Sequence, residues 1–254
     1  MADSMNAYTT RMQLPSRGVL YDGRMPDGWI DVNPMTAADE KLLTNQQLPQ
    51  WEVLNMLIGR CVPNPPVPLK EWLSADRVFV LMAVRAISYG PEYAFDVQCS
   101  RCRQTFVHKL QLPDALSCQI LTPEDSPVFS VKLPMCGKEV GLKRLTVADE
   151  DAVSASVRGR ARRGITSGLG DQFTAAMVRH IVSVDGKNVD QVEAQQFYEG
   201  LIGRDAAAIR KAIRENECSI DLTISLVCPL CGAEQQEVMP FGADFFLPES
   251  TARR

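Results

Sequence analysis

The chain has 254 residues, 45% of them hydrophobic and 23% charged, enough for one large domain or two small ones around a substantial core. A formal net charge of −4 disfavours nucleic acid or an anionic membrane as a general partner. With no basic-then-apolar leader and no apolar run of about eighteen residues, a soluble protein made in the cytoplasm is expected. Its eight cysteines suit a reducing compartment and a metal better than a disulfide framework.

The first dozen residues are polar and aperiodic, and residues 14–23 carry Pro, Gly and Asp-Gly turn signals. Residues 1–33 are therefore expected to form an extended arm that can lie on a neighbour. Thr36, followed by Asp39 and Glu40, marks a helix start with a hydroxyl cap and early acids, and Leu42, Leu43 and Leu48 follow on that helix. Pro49 starts a second helix, which puts Trp51, Leu54, Leu57, Ile58 and Cys61 on one face. Four prolines between Val62 and Pro68 forbid helix and predict an extended link. The spacing then predicts a helix over 74–88, begun by Ser74 or Asp76. It is apolar nearly all round and so belongs at the centre of the core. Tyr89-Gly90-Pro91 ends it.

Tyr93, Phe95, Val97 and Cys99 alternate as a half-buried strand does. Cys102 closes a CxxC pair, and residues 106–112 form a possible return strand. Residues 128–133 and 140–145 flank a turn and read as a β-hairpin. Helices are expected over 147–160, 171–183, 189–201 and 205–216, with 184–188 as a turn between two of them or the tip of a small hairpin. Leu222, Ile224, Leu226 and Cys228 repeat the phase of the first cysteine strand. Cys231-Gly232 and a return strand over 235–241 follow, and an aromatic tail of Phe241, Phe245 and Phe246 closes the pattern. The expected division is an arm (1–33), a helical region with the first zinc hairpin (34–112), a β-hairpin and helical insertion (113–217), and the second zinc hairpin with the C-terminal segment (218–248).

Zinc takes four ligands in a tetrahedron, and one CxxC knuckle supplies two. Cys99, Cys102, Cys228 and Cys231 together complete a site for one structural Zn2+ per chain, a zinc ribbon whose halves are separated by a long insertion. Gly232 allows the second knuckle to turn tightly, whereas Arg103 stands at the equivalent place in the first. Redox dithiols and plain buried thiols are the alternatives. A thioredoxin-like pair would open a helix, which neither does, and a catalytic zinc would keep one position open for water. Other catalytic groups are sparse. His108 reads as a half-exposed strand residue and His180 as a surface residue of an amphipathic helix. Asp149, Glu150 and Asp151 read as solvated acids opening a helix, and no nucleophile elbow, phosphate loop or dinucleotide fingerprint occurs. Arg158, Arg160, Arg162 and Arg163 predict a cationic loop without the interleaved aromatics of a base-stacking surface. It suits an acidic protein surface, nucleic acid or solvent. Cys61, Cys118, Cys136 and Cys218 are isolated and read as small buried hydrophobes.

Asn33-Pro-Met-Thr-Ala-Ala-Asp-Glu-Lys-Leu-Leu43, the stretch over 76–93 with its Arg85-Ala-Ile-Ser-Tyr-Gly-Pro91 segment, Cys99 with Cys102, and Cys228-Pro-Leu-Cys231-Gly232 together resemble the baseplate protein family of T-even-like contractile-tailed phages. The resemblance covers residues 14–240 and leaves out the Arg158–Arg163 cluster. It implies a component of the tail baseplate hub, or a factor that assembles it, with no enzymatic activity and no catalytic residues to carry over. It also implies other baseplate or tail proteins as partners, and a location in the virion tail baseplate after assembly in the host cytoplasm. The fold expected is α+β: a helical core, a β-hairpin and a discontinuous zinc-ribbon-like element made of the two CxxC knuckles. The rival reading, from the knuckles and the arginines, is a zinc-ribbon nucleic-acid-binding regulatory protein.

Overall fold

The apolar alternation of Trp29-Ile-Asp-Val32 buries Ile30 and Val32, and this strand, β2 (Trp29–Val32), pairs antiparallel with β1 (Thr10–Gln13). The computed structural model describes residues 8–45, 47–114, 116–162 and 169–247. Between β1 and β2 the chain doubles back through left-handed turns at Arg17-Gly18, Asp22-Gly23 and Asp27-Gly28, which lets Leu14, Tyr21 and Met25 reach the core. Gly18 is required there, because a Cβ would stand 1.9 Å from the Met25 carbonyl oxygen. Where an extended arm to residue 33 is expected, residues 10–32 are thus built into the molecule. The turn residues fold the segment back and its scattered apolar side chains are buried.

Three helices form the floor of the first core. In α1 (Ala37–Leu43) the Asp39 carboxylate accepts from the Thr36 amide and hydroxyl, as the sequence signals. The helix ends before Leu48. Helix α2 (Gln50–Cys61) follows Pro49 and buries Val53, Leu54, Leu57, Ile58 and Cys61. After the proline stretch, Trp72 is fully buried and its indole N–H donates to the Val67 carbonyl at 2.9 Å. Helix α3 (Ser74–Tyr89) is central as expected, with Val80 to Arg85 all buried. Its start differs from the expectation: Leu73 is the N-cap and no side chain caps it. Asp76 instead accepts from the Ser16 amide and the Tyr21 hydroxyl, because a buried carboxylate needs donors and the N-terminal loop supplies them.

The second core is built on a four-stranded antiparallel sheet of β5 (Val128–Lys132), β6 (Glu139–Lys143), β7 (Ile181–Val184) and β8 (Lys187–Asn188). Helix α4 (Val147–Arg162) packs on α3 and on α5 (Leu169–His180), and it buries Val147 in the first core. Around the sheet stand α5, α6 (Gln191–Glu199) and α7 (Gly203–Asn216), enclosing Leu133, Val140, Leu142, Val178, Ile181, Ala194 and Ile209. Residues 181–183 are strand where helix is expected. The β-branched run favours extension, and Gly141 on β6 admits β7 closely, since a Cβ there would lie 2.3 Å from Ser183 Oγ. Asp185-Gly186, both at positive φ, form the tip of the small β7–β8 hairpin.

The chain returns to the first core through β9 (Thr223–Val227) and β10 (Glu234–Val238), then α8 (Ala243–Phe246). The fold is α+β. Phe245 and Phe246 are buried among the α1–α3 residues, and Tyr93, Phe95 and Val97 of β3 (Glu92–Gln98) join them. Strand β3 pairs with β4 (Thr105–Gln111).

Several expectations for polar residues are corrected. His180 is only 2% exposed: the last turn of α5 packs it inward, its Nδ1–H donates to the Lys143 carbonyl at 2.8 Å, and burial holds its pKa below the usual histidine value. Asp149 opens α4 but is buried at 3% exposure, between Lys143 and Arg179, each 2.7 Å away. Cys61 and Cys218 are buried, whereas Cys118 is half-buried and Cys136 exposed in the β5–β6 turn. Helix α4 runs through Arg162, so the backbone of Arg158, Arg160 and Arg162 is helical rather than a loop. Arg163 lies outside the described residues. His108 is partly exposed on β4, as expected.

Candidate metal centre

Two strands set up the site, and each ends its inward-facing alternation on a cysteine. Val97 and Cys99 share the buried side of β3 and its continuation, and Leu226 and Cys228 do the same beyond β9. The turns that follow are closed alike. The Cys99 amide donates to the Gln104 carbonyl at 2.9 Å and the Arg103 amide to the Cys99 carbonyl at 3.0 Å. In the second knuckle, Cys228 and Ala233 repeat the first bond at 2.9 Å, and Gly232 and Cys228 repeat the second at 2.9 Å. Both turns need a left-handed residue one step after the second cysteine. Gly232 supplies it at φ 71°, and Arg103 supplies it at φ 62°. The missing glycine therefore leaves the shape of the first knuckle unchanged, at a conformational cost of about 1–2 kcal/mol.

Folding brings the two knuckles together. Cys99 Sγ stands 3.7 Å from Cys231 Sγ, a residue 132 positions away, and Cys102 Sγ stands 3.8 Å from Cys228 Sγ. All four sulfurs lie within 4.8 Å of one another. A zinc tetrathiolate with bonds of about 2.3 Å has tetrahedral edges of about 3.8 Å, so the donor set and its spacing fit this metal. Disulfide sulfurs would be at about 2.05 Å, and all eight cysteines are free thiols. The short contacts run between knuckles, whereas a redox dithiol would pair the cysteines within one CxxC. Cys99 and Cys228 are buried, and Cys102 and Cys231 are half-buried at the tip.

Metal binding requires thiolates, and the backbone favours one at Cys99, whereas at Cys102 the Gln104 backbone bond is outweighed by burial and the neighbouring thiols, which push the thiol up to about 11. The Cys102 amide points at Cys99 Sγ from 3.5 Å, and with the Arg101 amide it draws the Cys99 thiol down to about 6, against the opposing effect of burial. The knuckle loops contribute Arg101 and Arg103 and no acid.

All four cysteines named from the sequence thus meet at one point. Arg158, from the arginine cluster, does not join them: its guanidinium lies 5.1 Å above the Trp51 ring, and its Nε–H donates to the Ser154 carbonyl. One residue at the centre carries no sequence signal. Gln235 sits in the polar run Glu234-Gln-Gln-Glu237 of β10, which reads as a solvated strand face, yet its side chain reaches the first knuckle.

No curated protein and no solved structure matches this chain. The family described as T4 bacteriophage base plate protein matches residues 7–247, nearly the whole length. The chain belongs to that family.

Proposed function

We propose that the protein is a non-enzymatic structural component, or an assembly factor, of a phage tail baseplate hub, and that it works through contacts with other baseplate or tail proteins. Family membership over residues 7–247 carries this reading. In this reading the protein works in the virion tail baseplate, after assembly in the host cytoplasm. Among the described residues no helix is long and apolar enough to cross a membrane.

A single Zn2+ held by Cys99, Cys102, Cys228 and Cys231 serves as a clasp. Four thiolates fill the tetrahedral shell and leave no position for water or substrate, so the metal supplies cross-linking rather than catalysis. By tying the β3–β4 hairpin to the β9–β10 hairpin it closes the whole second core into one loop. In the chain-entropy view, a cross-link over a loop of that order disfavours the unfolded state by about 5 kcal/mol. The surfaces that partners touch are then held on a fixed frame.

Mass spectrometry of purified virions, with affinity capture of the tagged chain from infected cells, tests the role. Tail proteins are expected to copurify. A salt-dependent gel shift at micromolar protein, with no tail protein captured, would instead establish the nucleic-acid-binding regulator.

A further inference from the structure

We infer that Gln235 is the positioning residue of the thiolate cluster: its side-chain amide latches the two knuckles so that the four sulfurs reach tetrahedral spacing before the metal arrives. This rests on the zinc reading above and adds to it the order of events.

Gln235 lies on β10 opposite Leu226, one strand away from the run into Cys228. Its Oε1 accepts from the Ser100 amide at 2.9 Å and from the Ser100 hydroxyl at 3.3 Å. Its Nε2 donates to the Gln98 carbonyl at 3.2 Å and to Glu237 Oε1 at 3.0 Å. Ser100 and Gln98 are the two chain neighbours of Cys99. One amide on the second hairpin therefore grips the backbone on both sides of the cysteine whose sulfur meets Cys231 at 3.7 Å.

The chemistry requires an amide. Only a group with an acceptor on one arm and a donor on the other satisfies the Ser100 N–H and the Gln98 C=O at once. A carboxylate would accept from Ser100, but it would face the Gln98 carbonyl without a proton to give. It would also add negative charge beside Glu237 and next to four thiolates, which even with Zn2+ carry net negative charge. A neutral amide avoids both conflicts. None of these bonds uses a sulfur atom, so forming them does not require the metal: Gln235 shares the work of bringing the hairpins together, and zinc meets a preformed site.

The test uses the full-length protein, stripped of metal under reducing conditions, in wild-type, Gln235→Ala, Gln235→Glu and Ser100→Ala forms. Cobalt is titrated to read the ligand set from its thiolate charge-transfer and d–d bands, and zinc affinity is measured by competition with a chromophoric chelator. Far-UV circular dichroism of each apo form monitors the fold. Gln235→Ala and Gln235→Glu are expected to keep the four-thiolate cobalt spectrum while zinc binds about 10-fold to 100-fold more weakly, the usual range for losing a support of a ligand. Ser100→Ala keeps the amide donor and is expected to stay within about threefold of wild type. Gln235→Glu preserves the side-chain size, so it decides the matter if the alanine form does not fold. Unchanged zinc affinity in Gln235→Glu overturns the latch while leaving the zinc site intact. A wild-type protein that shows no cobalt–thiolate band overturns the zinc site itself and the latch with it.

Discussion

The Tyr21 hydroxyl donates to Asp76 Oδ2 at 2.6 Å across 55 positions of sequence, and the Tyr21 hydroxyl oxygen accepts from the Leu73 amide at 2.8 Å. A loop in the first tenth of the chain is thereby bonded to the first turn of the central helix. Asp76 has no positively charged partner among these bonds. Burial pushes its pKa up, and the donors from Ser16 and Tyr21 oppose that shift.

Tyr21→Phe removes the hydroxyl while keeping the ring, so the Leu73 N–H and one Asp76 oxygen lose their partner in a dry site. The expected loss is about 1–3 kcal/mol of folding stability, read as a lower urea midpoint at unchanged m-value. An unchanged midpoint would mean that water enters and replaces the hydroxyl.

Elemental analysis of the purified protein is expected to give about one zinc per chain. Cys228→Ser should lower that content, and chelation of the wild type should lower its thermal midpoint, because binding energy is here folding energy. Freely titrating thiols in a zinc-free native protein would refute the clasp.

The two left-handed knuckle residues make opposite predictions. Arg103→Gly relieves a side chain at φ 62° and should stabilise the zinc-loaded protein by about 1 kcal/mol. Gly232→Ala at φ 71°, with no atom within 4 Å of the added Cβ, should destabilise it by a similar amount, through backbone conformation alone. Thermal unfolding of both variants at saturating zinc checks the pair, and equal shifts of the same sign would contradict the geometry.

Glu217 ends α7 near Glu150 and Arg144. Burial and then Glu150 push its pKa up to about 7 from 4.5, against Arg144 and the Leu145 backbone. The folded state therefore holds this proton more tightly than the unfolded one. That contribution to stability is complete below about pH 4.5, declines between 4.5 and about 7, and is gone above. Glu217→Gln keeps the neutral form at every pH. Its stability relative to wild type should rise across that window by at most about 3 kcal/mol, as measured by urea unfolding at pH 4.5, 6 and 8 with His180 intact in both proteins. A flat difference would show that Glu217 is solvated.

The four-cysteine cluster was legible because its signal is local. Alternation puts Cys99 and Cys228 on the buried side of two strands, and each CxxC spacing makes a knuckle whatever follows. The Thr36–Asp39 helix start and the Asp-Gly turn at 185 were legible for the same reason. Gln235 was not, because a glutamine among polar strand residues looks solvated until the first knuckle is placed beside it. His180 and Asp149 were misjudged likewise: the helix pattern shows that an end exists, not that β6 lies against it.

By itself, then, the sequence determined the two cysteine hairpins, the β5–β6 hairpin, most helices and the paired CxxC knuckles, since dihedral preference and side-chain period act within a few neighbouring residues. Tertiary structure alone decided that residues 10–32 belong to the core, that 181–184 extend along β6, and that Tyr21 meets Asp76 as Gln235 meets Ser100. Each of these depends on a side chain finding its partner, or a strand its edge, far along the chain. Local pattern carries no record of such distance.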